Sequence, residues 1–393
     1  MKKINHGLNL TLLGGVALLV IGNSPATLLP FIVGTLEDGF NLDKQTTGSI
    51  VSTELIAMSL SAIFFGSLAS KINLRISAIL GSAIVVTGYY ICSLVNDIEI
   101  LRLIRGFSGL ASGLLIASGH RVLAASDNPE RAYAAFTFLI SVTGALFLFL
   151  AGIASEKGGY TSLFSTFSLI FIFIFPLTLL AQATNKSTSI EEVDTQDSNN
   201  NKLFFLIIVG VIFFAIPSGG MWAFVERLGV QIGISQYDIG KVTAYSLLAG
   251  VFAPVVVWLF GDRFGRKNPI TISLIIILLS LTYILKTMDF NSYLIRNITW
   301  NFSYMVVVIF VLAAAAKLSP NGKLASWLNA TTLFSQASAP IIFGSILNNL
   351  SFPNLLPYLV ASICISLFCI VLTRDKLNPV SYTHLTLPTN REV

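Results

Sequence analysis

The chain has 393 residues, of which 54% are hydrophobic and only 11% charged, and its mean hydropathy is +0.79. Water-soluble domains carry about a quarter charged residues, so this composition excludes a fully water-facing surface and fits a bilayer as solvent. The net charge of +5 is small and scattered, which excludes a basic face for nucleic acid.

Twelve apolar runs follow one another, each near the roughly 20 residues a helix needs to cross a bilayer. They span 9–33, 45–69, 75–95, 99–121, 133–154, 161–182, 203–224, 237–259, 270–287, 292–316, 324–346 and 355–373. The first follows Met1-Lys2-Lys3 and has the look of a signal peptide, but no small-x-small cleavage site ends it. It therefore reads as the first helix. Cys92, Cys364 and Cys369 fall inside apolar runs without metal-like or disulfide-like spacing, and core packing is their reading.

Placing the N-terminus inside puts fifteen Lys and Arg residues on the cytoplasmic side and six on the other. That is a positive-inside bias, with both termini cytoplasmic. The segment 183–202 is rich in Ser, Thr and Asn, carries Glu191, Glu192, Asp194 and Asp197, and reads as a flexible linker between two halves. The expected units are thus a bundle over 1–182, the linker 183–202 and a bundle over 203–378. The tail 380–393 resembles translated sequencing-library adapter and is set apart from the fold as a non-native scar.

Between the eighth and ninth runs stands a short charged loop, Gly261-Asp262-Arg263-Phe264-Gly265-Arg266-Lys267. An apolar segment that stops at Asp-Arg-x-Gly-Arg-Lys resembles the cytoplasmic loop signature of the major facilitator superfamily. A weaker copy, Ser70-Lys71-Ile72-Asn73-Leu74-Arg75, lies 192 residues earlier. The same offset carries Pro25 onto Pro217, Gly48 onto Gly240 and Gly152 onto Gly344. It also carries Phe40-Asn41-Leu42-Asp43 onto Ile232-Gly233-Ile234-Ser235, each ending in a good helix N-cap. A long repeat in one register argues for a duplicated six-helix unit. The resemblance implies an all-α membrane fold of two pseudo-symmetric six-helix bundles. It implies too that Asp262, Arg263, Gly265, Arg266 and Lys267, with Ser70, Lys71 and Arg75 as a weaker counterpart, help to close the cytoplasmic side.

Ionisable residues inside a bilayer are costly and default to functional candidates. Glu54 lies about eleven residues into the second run, roughly 16 Å along the helix and so near the midplane. A buried carboxylate there is either a proton site or a structural partner for an arginine. Arg105 opens Arg105-Gly106-Phe107-Ser108-Gly109-Leu110-Ala111-Ser112-Gly113, which resembles the family's fourth-helix motif of an Arg followed by spaced glycines. That resemblance implies a role for Arg105 in proton relay or anion binding. Arg296 nearly mirrors it, one residue off register, followed by Asn297, Trp300, Asn301 and Tyr304; it is equally suited to snorkelling. Asn23 beside Pro25, Trp222 after Pro217-Ser218-Gly219-Gly220, and Gln336 near Pro340 are further candidates for a substrate cavity. Interrupted helices at matching positions of two halves point to a central site, although each is also explained by an ordinary proline kink.

No catalytic constellation, metal-ligand cluster or cofactor motif is present, nor a P-loop to bind ATP, so the chain reads as a non-enzyme driven by an ion gradient. The expected function is secondary active transport of a small organic solute across the cytoplasmic membrane, coupled to protons or, failing that, to sodium. The expected surroundings are lipid around a monomer, without nucleic acid. A non-transporting receptor or assembly protein on the same scaffold is the alternative.

Overall fold

The computed structural model describes residues 6–68, 71–182, 201–260, 266–285, 289–319 and 323–373. The linker, the C-terminal tail, Ser70, Asp262, Arg263 and Gly265 lie outside them. The described chain is all helix: α1 (His6–Thr27), α2 (Leu29–Phe40), α3 (Lys44–Ser67), α4 (Leu74–Cys92), α5 (Ile98–Ala124) and α6 (Pro129–Thr178) come first. They are followed by α7 (Asn201–Gln231), α8 (Gln236–Gly250), α9 (Ala253–Phe260), α10 (Lys267–Ile284), α11 (Phe290–Leu318), α12 (Lys323–Asn349) and α13 (Leu356–Leu372).

These helices make twelve spans in two six-helix bundles. The first span is α1 continued by α2, and the eighth is α8 continued by α9. In the eighth, Pro254 has no N–H to offer the Gly250 carbonyl, and the helix is interrupted at Val251 and Phe252. Helix α6 holds the fifth and sixth spans, which part where Gly159 takes the left-handed conformation at φ 57°. The outward faces carry exposed Phe64, Leu103, Phe107, Phe173, Phe205 and Phe368, an apolar belt suited to lipid tails.

Prolines inside α1 and α7 are accommodated by hydroxyls. Pro25 leaves the Ile21 carbonyl without its helical donor, and the Ser24 hydroxyl donates to it at 2.7 Å. Pro217 frees the Phe213 carbonyl in the same way, and the Ser362 hydroxyl of α13 donates to it at 2.8 Å. Neighbouring Ser and Thr groups are the usual remedy for such gaps in a membrane helix.

The offset of 192 is repeated in three dimensions. Asn41 and Gly233, which it relates, both hold positive φ, at 52° and 83°. The next helices start in matching ways: Asp43 accepts from the Thr46 N–H at 2.7 Å, and Ser235 from the Asp238 N–H at 3.1 Å. Helix α3 of the first bundle crosses α12 of the second, and α8 crosses the first limb of α6. In the first crossing Gly48 packs on the Pro340 carbonyl and Gly344 on the Lys44 carbonyl. In the second, Gly240 packs on the Leu148 carbonyl and Gly152 on the Gln236 carbonyl, so each contact is the other displaced by 192. A methyl group at Gly48, Gly152 or Gly344 would overlap backbone and one at Gly240 would crowd it, so glycine lets the helices approach this closely.

Candidate functional site

Two ends of the molecule differ. At the basic end lie Lys71, Arg75, Arg121, Arg131, Arg266 and Lys267; at the opposite end the spans are joined through Asp38, Asp43, Asp97, Glu156 and Asp238. Between the bundles runs a cavity of about 700 Å³. At the basic end it is lined by Gly66, His120, Arg121, Ala124 and Tyr133, and its inner part by Asn23, Trp222, Trp300, Asn301, Tyr304 and Gln336. It stops at Leu29 in the first span and Trp222 in the seventh. Beyond that level Ile32, Val33, Leu36, Val225 and Leu228 are buried, and the opposite end is sealed.

Six sequence candidates therefore meet in one place. Their positions are held by hydrogen bonds that the helix breaks make available. The Trp222 indole N–H donates to the Ala26 carbonyl of the other bundle at 3.0 Å. That carbonyl has no helical donor because the residue four places on is Pro30. The Asn23 amide donates to the Leu19 carbonyl at 2.8 Å. The Gln336 amide donates to the Tyr304 hydroxyl, and the Tyr304 ring is stacked on Phe214 with centroids 5.0 Å apart. Trp300 is 4% exposed, yet its indole nitrogen has no partner, and neither has the Asn301 side-chain oxygen.

Arg296 and Asn297 do not line the cavity. The one-residue slip in register turns Arg296 about 100° around its helix. Its guanidinium donates to the Tyr283 carbonyl at 2.6 Å and lies over the Tyr283 ring at 5.0 Å. Asn297 is the true counterpart of Arg105 at an offset of 192. It is 1% exposed and donates to the Tyr293 carbonyl at 2.8 Å.

Glu54 and Arg105 are an ion pair, with the Arg105 guanidinium donating to a Glu54 carboxylate oxygen. Both are fully buried, and the guanidinium also sits over the rings of Tyr89 at 4.8 Å and Phe164 at 5.1 Å. Neither residue lines the cavity; Leu55 and Met58, on the same helix, form the wall instead. The second carboxylate oxygen and two guanidinium nitrogens lack partners. Two residues before Glu54, the Ser52 hydroxyl accepts from the Ile341 N–H of the other bundle at 3.0 Å. The C-terminal bundle has Ser246 and Asn297 where the first has Glu54 and Arg105, so the charged pair is one-sided. Of the charged-loop residues, Lys71 and Arg75 flank the start of α4, and Arg266 and Lys267 the start of α10.

A second charged cluster escaped the sequence reading. At the sealed end Arg227 grips Asp38 of the other bundle with two bonds of 2.7 and 2.9 Å, and Glu226 with bonds of 2.6 and 2.7 Å. Glu226 is fully buried and also accepts from the Gln236 amide. Gly34, which repeats Glu226 at an offset of 192, leaves the room its carboxylate occupies. Glu37 of α2 is beside them, and one of its carboxylate oxygens is buried without a partner. The signal was present in the sequence. Extending the seventh helix from 224 to its glycine stop at 233 would have brought Glu226 and Arg227 inside it.

The profile of the Major Facilitator Superfamily matches residues 14–325. Over 353 residues the chain is 22% identical to a gentisate transporter of Corynebacterium glutamicum, covering 80% of this chain and 77% of that protein. In three dimensions it is similar to the nucleoside transporter NupG, with a TM-score of 0.75 at 14% identity over 94% of this chain and 99% of that one. It is similar also to a bacterial homologue of the lysosomal transporter Spinster, solved inward-facing and unoccupied, with a TM-score of 0.69 at 14% identity over 95% of each. With its duplicated bundles, its central cavity and a profile match over most of its length, this multi-pass membrane chain belongs to the Major Facilitator Superfamily.

Proposed function

We propose that the protein is a secondary active transporter that carries a small organic solute across the cytoplasmic membrane by alternating access. The observation that carries this reading is the cavity, which both bundles line, which reaches the basic end and which is sealed at the other. Positive-inside charge makes the basic end cytoplasmic, so the state described is inward-facing. The seal is made of contacts between bundles: the two crossings with their four glycines, the Trp222–Ala26 bond and the Arg227–Asp38 bridge. These are the contacts that part when the outer side opens. The names of the relatives, a gentisate transporter and a nucleoside transporter, support an organic solute. Lipid surrounds the chain, which acts as a monomer without nucleic acid.

Coupling is assigned to protons through Glu54 and Arg105. The pair is under-satisfied, and α3, which carries Glu54, is also the helix that crosses α12, so its protonation state acts through α3 on the joint between bundles. Proteoliposomes holding the full chain test both parts. An imposed pH gradient should drive accumulation of solute, and a sodium gradient should not. Counterflow without any gradient would separate transport from a receptor role, and a complete lack of counterflow with a bound ligand would sink the transport reading.

A further inference from the structure

We infer that the inner part of the cavity takes a small uncharged solute, a flat ring whose edge donates hydrogen bonds through N–H or O–H groups, and that the side-chain oxygens of Asn23 and Gln336 receive that edge. This deepens the transport reading above and rests on it only for the cavity being the solute's site.

The charge of the walls is the first argument. Among the described lining residues there is no Asp, Glu or Lys, and Arg121 is the one Arg. By the offset of 192, Arg121 stands level with position 313, which is about thirteen residues, or roughly 20 Å, from Trp300 toward the cytoplasmic mouth. There its guanidinium donates to the Ile72 carbonyl at 2.7 Å. Glu54, behind the wall, is paired with Arg105 of its own bundle, so the two add no net charge. An anion or a cation at the inner part would give up its water without meeting an opposite charge, a cost that an uncharged solute avoids. Ring faces attract cations too, but without a carboxylate that attraction is smaller than the hydration a charge gives up.

The second argument is which polar atoms are left over. The Asn23 nitrogen is spent on the Leu19 carbonyl, the Gln336 nitrogen on the Tyr304 hydroxyl, and the Trp222 indole N–H on the Ala26 carbonyl. What Asn23 and Gln336 keep for a solute is an amide oxygen each, which accepts from N–H and O–H groups and repels a carboxylate. The two oxygens lie at nearly one level. Gly219 packs on Gln336, and Asn23 stands level with position 215, so they differ in depth by about one turn, roughly 6 Å. One six-membered ring with a single substituent spans that distance. Trp222 and Tyr304 line the same part and supply flat apolar surface for the faces of the ring.

Isothermal titration calorimetry on the full chain in detergent tests this with probes that share one ring. They are nicotinamide, which is uncharged, the anion nicotinate, the cation 1-methylnicotinamide, and N,N-dimethylnicotinamide, which is uncharged but has no N–H. Nicotinamide should bind about tenfold or more tighter than the other three. Gln336→Leu should weaken nicotinamide about fivefold and leave N,N-dimethylnicotinamide nearly unchanged, a difference that a general loss of fold would not produce. Asn23→Leu, at the other oxygen, should do the same. Nicotinate or 1-methylnicotinamide binding as tightly as nicotinamide, no binding of nicotinamide at all, or undiminished nicotinamide affinity in both variants would each overturn the assignment. Saturable binding of nicotinamide without counterflow would leave the ligand class standing and remove the transport reading. Counterflow of nicotinate but not of nicotinamide would do the reverse.

Discussion

Glu54 is buried against a guanidinium that has two further nitrogens without partners, so the pair stands close to the limit of what a protein interior tolerates. Removing one member leaves a lone buried charge, at a cost of about 3–5 kcal/mol, whereas replacing both with apolar groups of similar volume is often neutral. Glu54→Ala should therefore lower thermal stability sharply, and Glu54→Leu with Arg105→Met should recover it, as read by a melting curve in detergent. The functional expectation differs. Glu54→Gln mimics the protonated acid, so it should abolish pH-driven accumulation and spare counterflow; full pH-driven transport by this variant would make the residue structural. Glu54 and Arg105 were legible in the sequence because a charge stands out in an apolar run. Glu226 was not, because it lies two residues past the apolar stretch and its burial comes from Gly34 on another helix. Arg296, for which the sequence left a cavity role and snorkelling open, shows the same sensitivity: one residue of register decides whether a side chain meets a cavity or an interface.

Elements make up the seal at the outer end. Asp38 is 63% exposed, so its bridge to Arg227 is worth no more than about 1 kcal/mol in water. The weight falls on buried Glu226, which loses its main partner when Arg227 is removed. Arg227→Gln should shift cysteine labelling at position 23 toward reagents added from outside, and unchanged labelling would show that the cluster is not part of the seal. The glycine crossings offer a further test. Gly48→Ala and Gly240→Ala meet corresponding obstacles, the carbonyls of Pro340 and Leu148, and both should bias the protein outward-open, Gly48→Ala the more strongly because its obstacle is much nearer the added carbon. A large effect of one and none of the other would mean that only one crossing closes the seal.

The whole molecule is two copies of one fold, and most of this was readable in advance, since apolar run length and the offset of 192 are both long-range patterns that tolerate local error. The span boundaries were met to within a few residues at most ends. What a linear reading could not reach was the contact between copies, because Gly48 and Pro340 are remote in sequence and neither is unusual alone. If the bundles are independent folding units, residues 1–182 and 203–393 expressed as two chains should co-purify and bind the same probe; failure of either piece to insert would refute the proposed boundaries. The bond from Trp222 to the Ala26 carbonyl carries a consequence for the speed of the cycle. Pro30 guarantees that this carbonyl is never needed by its own helix, so it is free to trade an indole for a water molecule as the outer side opens. Such an exchange changes free energy by only about 1 kcal/mol. The latch thus supplies direction and register without adding a trap, and replacing Trp222 with Phe should leave turnover nearly unchanged while letting the closed bundles slip against each other.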